Sequence, residues 1–345
     1  MHSFSQLNLP QIDLAADAKG ARDWLRKTYV DFADIFWRGM DRWGTTDAQH
    51  RYLQTLLGRS RWITNDLASN CELQTRFGGW LVDQTCQMRV ELPHRRLFHV
   101  TIINDWWLTS ERQTVVVLGG VKHTLSDVMA LGCFDGWLGK IEFQTVDHSN
   151  PLFGRLVQPH VHVLAWTDDH RFSASDSHSR MITSCRLLSV AEIEKTVVLE
   201  EATDGISWIP GYMSKAPSVA KHKIAARYLD SKFRLDDCKL QPVSAIRSFE
   251  ILSQLRLIDL VVGGGKGRAM RRLAERWIEE AVTVCPASID AVESARQWQK
   301  FRQTPKLRKW AKRVDYRPVI IRHDKGQKAA TEAELAFWRL PGIPV

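Results

Sequence analysis

Residues 159–166 read Pro-His-Val-His-Val-Leu-Ala-Trp. On a β-strand alternate side chains share a face. His160 and His162 then project together, while Val161 and Val163 bury on the opposite side. Two imidazoles spaced this way can hold one divalent ion. The competing reading is one packed histidine beside one exposed histidine. A metal needs further ligands or water, and Glu142 stands in the preceding predicted strand, Lys-Ile-Glu-Phe-Gln-Thr-Val (140–146). The segment 147–158, with Asp147-His148-Ser149-Asn150-Pro151 and Gly154, has turn chemistry and can fold that strand back as a hairpin. Glu142 then offers a carboxylate oxygen beside the two nitrogens; in another register it is an exposed strand residue. A mixed oxygen–imidazole site with open positions suits Mg²⁺ or Mn²⁺ better than a closed zinc site.

A third element lies downstream in Gly211-Tyr212-Met213-Ser214-Lys215. On a helix, residues three apart are surface neighbours. A tyrosine hydroxyl attacks a phosphodiester when a metal polarises the phosphate and cations steady the phenolate. Lys215 is placed to hold the phosphate or the leaving oxygen. Taken alone, the pair reads as a packed tyrosine and a solvated lysine. Pro217 predicts that Tyr212 precedes or begins its helix.

The elements around these residues fall into three parts. Residues 18–43 read as a helix, with Leu25, Tyr29, Phe32, Phe36, Met40 and Trp43 at three- and four-residue steps. Tyr52, Leu53, Leu56 and Leu57 continue the pattern after a Thr or Asp cap near 45–47. From about residue 75, strands are predicted at 88–92, 97–103, 114–118, 140–146 and 160–166, with a short helix near 124–131. Further helices are predicted over 189–201, opened by Ser189 and Glu192, and over much of 216–230. A buried helix carries Ile246, Phe249, Leu252, Leu255, Ile258 and Leu260 and ends at Gly263-Gly264-Gly265. Helices over 267–282 and 287–313, the latter broken near Pro305, follow. The stretch GGGKGR (263–268) lacks the frame of a phosphate loop, since Gly267 follows Lys266 where Ser or Thr is required. The expectation is α+β: a central antiparallel sheet with flanking helices, plus helical N- and C-terminal regions. The divisions are 1–75, 76–235 and 236–345.

Composition limits the class. The chain of 345 residues is 44% hydrophobic and 25% charged, ordinary globular values. No run approaches the ~18 apolar residues of a membrane span, and the first twenty residues lack a secretory pattern. The six cysteines form no C-x-x-C pair, which argues against a zinc ribbon and fits free thiols in a reducing cytoplasm. Lys and Arg number 48 against 39 Asp and Glu, a net +9. The excess lies entirely in residues 300–328, and the rest of the chain is neutral. Trp298, Phe301, Trp310 and Tyr316 are interleaved with these cations, including Lys306, Arg308, Lys309, Lys312 and Arg313. Rings and cations together suit stacked bases and phosphates; an amphipathic helix with its aromatics inward is the other reading.

The order LFHVTIIN (97–104), IEFQ through PHVHVLAW (141–166), and GYMSK (211–215) resembles the rolling-circle replication initiators of the HUH endonuclease superfamily, plasmid type. Thr101 and Asn104 match the first motif of that family. His160 through Leu164 match the second, and Tyr212 with Lys215 the third. The segment carrying Glu142 looks like the one before the paired histidines in plasmid-type initiators. The resemblance spans roughly residues 88–235. It implies the HUH fold, an ion on His160, His162 and Glu142, and attack by Tyr212 on single-stranded DNA or an origin hairpin. The products are a 3′-hydroxyl and a 5′-phosphotyrosine. A host helicase is an implied partner, and a transposase or relaxase role shares the chemistry. Some initiators carry Glu four residues before the tyrosine, where this chain has Trp208. Tyr228 is the candidate second nucleophile, or else a packed helix residue. Two other readings compete. A phosphoesterase with two H-x-[ST] motifs finds one in His99-Val100-Thr101 and fails at His160-Val161-His162. A non-enzymatic DNA-binding regulator would leave the histidines structural.

Overall fold

A computed structural model describes residues 14–41, 46–58, 63, 65–104, 107, 109–110, 115–147, 156–184, 197–203, 205–225, 233–282, 291–302, 304–306, 308–309 and 319–323. Helix α1 (Leu14–Asp41) buries Leu25, Tyr29, Phe32, Phe36 and Met40, the stripe its sequence spacing predicts. Thr46 caps α2 (Asp47–Leu57) in a reciprocal box with Gln49. Asn70 caps α3 (Cys71–Glu91) by accepting from the Leu73 N–H at 3.0 Å. The strand expected at 88–92 is the last part of α3, which runs unbroken through Gly78-Gly79. Those glycines serve packing rather than a turn: a Cβ on Gly78 would lie 2.2 Å from Leu25 Cδ2 and 2.9 Å from Ser214 Cβ. Three helices meet at that point.

The chain continues through β1 (Arg96–Ile103), β2 (Thr109–Ser110), β3 (Val115–Val117), α4 (Leu118–Leu131), β4 (Gly136–Asp147) and β5 (Leu156–Thr167). It then forms α5 (Ala174–Ser184), β6 (Val197–Glu201), α6 (Trp208–Ser214), β7 (Val219–Ala225), β8 (Phe233–Lys239) and α7 (Pro242–Leu252). A 3₁₀ turn (Leu257–Leu260), β9 (Val261–Gly265), α8 (Gly267–Ala281), α9 (Ala291–Arg302) and β10 (Ile320–Arg322) complete it. Five strands make an antiparallel sheet in the order β6-β1-β5-β4-β9. The β7–β8 hairpin joins the far end of β4 through a short parallel pairing, and β2 extends the start of β5. β10 pairs with β3 separately. The result is a mixed α+β protein with an antiparallel sheet flanked by helices.

Four expectations change. The described end of the helix predicted over 189–201 is β6, an edge strand whose Val197–Glu201 pair with β1. The helix predicted over 216–230 is β7 as far as Ala225. Helix α4 starts at Leu118, six residues before the predicted start. The long buried helix ends at Leu252, and Gly263-Gly264-Gly265 are strand residues paired with Gly136, Trp137 and Leu138. Glycine suits that strand because the Trp137 indole lies across it: a Cβ on Gly264 would stand 2.3 Å from the ring.

The sheet has two coated faces. On one, Phe98, Val100, Ile102, Ile141, Phe143, Val161, Val163 and Ala165 pack with Leu118, Val121, Leu125 and Val128 of α4. On the other, Leu97, Leu138, Leu164 and Trp166 meet α3, α6 and α8 through Phe77, Leu81, Ile209, Met213, Met270 and Ile278. Each fully buried side chain of this size contributes about 1.5–3 kcal/mol of transfer free energy. Helix α1 lies against α3, α6 and α7 on that second side. Among the described residues, no helix is long and apolar enough to cross a membrane. Among the described residues, Cys71, Cys86, Cys133 and Cys238 form no disulfide.

Candidate metal centre

The hairpin β4–β5 pairs Glu142 with His160 and Lys140 with His162. Strand alternation therefore puts Lys140, Glu142, His160 and His162 on one face, and β1 adds His99 and Thr101, the latter opposite His162. Glu142, His160 and His162 are all buried, at 7%, 4% and 3% exposure. Glu142 Oε2 lies 3.2 Å from His160 Nε2 and 3.2 Å from His162 Nε2. The two Nε2 atoms stand 3.1 Å apart. Donor atoms about 2.1 Å from a common ion and at right angles to one another are separated by about 3.0 Å. The triangle thus has the dimensions of one side of a coordination shell, and the cluster can hold a metal ion.

Protonation strengthens that fit. His162 Nδ1 is 3.0 Å from Thr101 Oγ1 and 3.3 Å from His99 Nε2. His160 Nδ1 is 3.5 Å from the Gln158 carbonyl oxygen. If each Nδ1 carries the proton and donates to these neighbours, both Nε2 lone pairs face each other and the carboxylate. Glu142 Oε2 makes no well-directed hydrogen bond, although three nitrogens lie within reach. Lys215 Nζ, 3.4 Å from Glu142 Oε2, offsets part of the repulsion such lone pairs would have, and a metal ion among the donors would offset more. Burial pushes the Glu142 carboxyl up, but Lys215 and then His160 and His162 outweigh it and hold it well below the ordinary carboxylate value. Burial keeps His162 well below its ordinary value, against the pull of Glu142. It also lowers His99, with help from Lys215, to about 4. His162 and His99 are therefore neutral near pH 7, and a neutral imidazole is the form that binds a metal.

Helix α6 brings the third element. Tyr212 lies in the last turn of this short helix rather than before it, and Lys215 is its C-cap. Proline is accommodated earlier, at Pro210, because the first helical turn needs no N–H from that residue. Lys215 Nζ is 3.4 Å from Glu142 Oε2 and 3.6 Å from the Tyr212 ring centroid. The Tyr212 ring stands edge-on to His162 with centroids 4.9 Å apart, and 42% of the residue is exposed. The three groups that could hold a metal are thus buried, and the phenol beside them is partly exposed.

Several contributors were not apparent from local patterns. Tyr29 donates to the Ser214 carbonyl at 2.6 Å, and Thr28 Oγ1 accepts from the Ala216 N–H at 3.1 Å. Ser207 bonds Asp17, and Trp24 stacks on Tyr212 with centroids 6.0 Å apart. Helix α1 therefore clamps the segment carrying Tyr212 at both ends. Lys140 is buried in the floor of the site, and burial lowers its ammonium to about 8 despite the attraction of Glu142. Strand alternation from Glu142 was the available signal for Lys140; nothing local pointed to α1.

Lys306, Arg308 and Lys309 are exposed, whereas Trp310, Lys312, Arg313 and Tyr316 lie outside the described residues, as does Tyr228. Trp298 and Phe301 are core residues of α9, and Trp298 meets Phe249 edge-on at 5.4 Å. Those two rings follow the amphipathic-helix reading and are not available to bases.

Fold and site together define an α+β protein whose antiparallel sheet carries a buried Glu-His-His ligand set beside a solvent-facing tyrosine. No family model, no curated protein and no solved structure matches the chain.

Proposed function

We propose that this protein is a metal-dependent enzyme that nicks and rejoins single-stranded DNA, initiating rolling-circle replication of a plasmid or similar mobile element. Tyr212 Oη attacks the scissile phosphorus and forms a phosphotyrosine bond. The P–O3′ bond breaks, and the departing oxygen takes a proton to become a 3′-hydroxyl. The 5′-phosphate stays on Tyr212, which keeps the energy of the broken bond for later joining. His160, His162 and Glu142 hold Mn²⁺ or Mg²⁺, and the imidazole pair favours Mn²⁺ as the tighter ion. When bound, the ion supplies Lewis acidity to the phosphate. Lys215, above the Tyr212 ring, lowers the cost of the phenolate and faces the leaving oxygen or phosphate.

The observation that carries the reading is the convergence of Glu142 Oε2 and two Nε2 atoms within 3.2 Å, next to a half-exposed tyrosine with a lysine over its ring. The three-motif order of the sequence points the same way. The test uses labelled single-stranded oligonucleotides, including stem-loops from the DNA flanking the gene, with Mn²⁺ or with EDTA. A covalent protein–DNA adduct should form only with the metal. Tyr212→Phe should reduce it to background while leaving DNA binding within about threefold, a difference under ~1 kcal/mol. Binding without an adduct on every substrate would instead favour a DNA-binding regulator.

A further inference from the structure

The solvent side of Tyr212 has a feature that the metal chemistry does not use. Trp208 lies one turn earlier on α6 and is 41% exposed, among the large apolar side chains most open to solvent in the described residues. Its indole meets Trp24 at 5.8 Å and 59°, and Trp24 in turn lies nearly parallel to Tyr212, at 9°. The Trp208 ring passes near two glycines: Cβ atoms built on Gly20 and Gly205 would stand 3.6 and 3.4 Å from it, ordinary contact distances. One side is thus seated on α1 and the loop before α6, and the rest faces water. An exposed indole normally costs free energy, since its apolar area remains hydrated. Here it lies against two elements, within one helical turn of the tyrosine.

We propose that Trp208, seated on Gly20 and Trp24, is a stacking subsite for one unpaired base of a single-stranded nucleic acid, the base of a nucleotide adjoining the phosphate presented to Tyr212. The proposal rests on the nicking reading for its partner. It adds a determinant of which bond is presented, built partly from α1. Every base has a π-face, so the subsite reads the presence and placement of a base more than its identity. A base paired in a duplex has its faces covered by neighbours, so the subsite selects an unpaired one.

The test is an abasic scan. Single-stranded oligonucleotides that bind the full-length protein are remade with one abasic nucleotide at each position, and affinity is measured in EDTA so that no bond is cut. For the unaltered protein, affinity should fall about fivefold to a hundredfold at one or two adjacent positions, the range for one base–aromatic stack. In Trp208→Ala the intact oligonucleotide should bind weaker by the same factor, and the dip in the scan should vanish. Trp208→Phe, which keeps a ring, should restore part of both. Circular dichroism and thermal unfolding verify that each variant folds, and Trp208→Phe serves alone if the alanine variant does not. Superimposable scans for the unaltered protein and the folded variants overturn the proposal. The nicking reading fails separately: a position-specific dip without any metal-dependent adduct keeps the subsite and removes the chemistry, whereas an adduct with a flat scan does the reverse.

Discussion

Strands β1, β4 and β5 present two faces made from alternate residues of the same segments, and the faces carry opposite chemistry. Facing α4 are Val100, Ile102, Ile141, Phe143, Val161 and Val163, all nearly inaccessible and all apolar. Facing α1 and α6 are His99, Thr101, Lys140, Glu142, His160 and His162. The first face gains stability from each atom it buries. The second buries a carboxylate, an ammonium and two imidazoles, and desolvation opposes every charge placed there. A fold gains little by such a face unless the groups have a partner beyond one another. Glu142 Oε2, 3.2 Å from both Nε2 atoms and 3.4 Å from Lys215 Nζ, is where these groups converge, and the cluster could hold a metal ion.

That contrast can be pressed by one substitution on each face. The largest effect after loss of a ligand should come from Thr101→Val, which removes the nearer of the two polar neighbours of His162 Nδ1, leaving His99 Nε2, without changing size. Mn²⁺ affinity should fall about 10- to 100-fold, as for other partners of ligating histidines, with the thermal midpoint of the EDTA-treated protein nearly unchanged. Ile141→Val, next to Glu142 but on the apolar face, should do the opposite. Denaturant unfolding should show a loss of about 0.5–1.5 kcal/mol, and Mn²⁺ affinity should stay as it was. If both variants changed both quantities alike, the two faces would not be separable.

A smaller effect should appear on acidification. His99 is lowered from 6.5 to about 4 by burial and by Lys215. The folded protein then binds fewer protons than the unfolded chain between these values, so the contribution of neutral His99 is complete above pH 6.5 and is lost as pH falls toward about 4. In EDTA-treated protein, His99→Gln should flatten the fall in thermal midpoint across that window and leave the midpoints above it little altered. An unchanged slope would assign the acid sensitivity to other groups.

The hairpin at the centre of the site was legible because period-two alternation and turn residues are local. His160, His162 and Glu142 each needed only strand identity and one fold-back. Helix α1 (Leu14–Asp41) was legible for the same reason, with Leu25, Tyr29, Phe32, Phe36 and Met40 on a single stripe; Trp43 lies outside the described residues. What escaped was set by distant partners. Gly78-Gly79 reads as a break until Leu25 and Ser214 are seen pressing on Gly78. Val197–Glu201 carries Glu residues suited to a helix, yet pairs with β1, where Arg96 binds Glu201 at 2.6 Å. Gly263–Gly265 reads as a terminator until the indole of Trp137 lies across it. Trp24 and Tyr29 look like ordinary stripe residues, and only the packing of α1 on α6 puts them beside Tyr212 and Ser214.

Titration of the metal-free protein with Mn²⁺, followed by calorimetry and by electron paramagnetic resonance, bears most directly on the buried ligand set. One equivalent should bind, with broadening of the manganese signal on association. Glu142→Gln and His162→Ala should each weaken binding at least a hundredfold, while Tyr212→Phe leaves it intact. Equal affinity in all four proteins would contradict a cation held by the two imidazoles and the carboxylate.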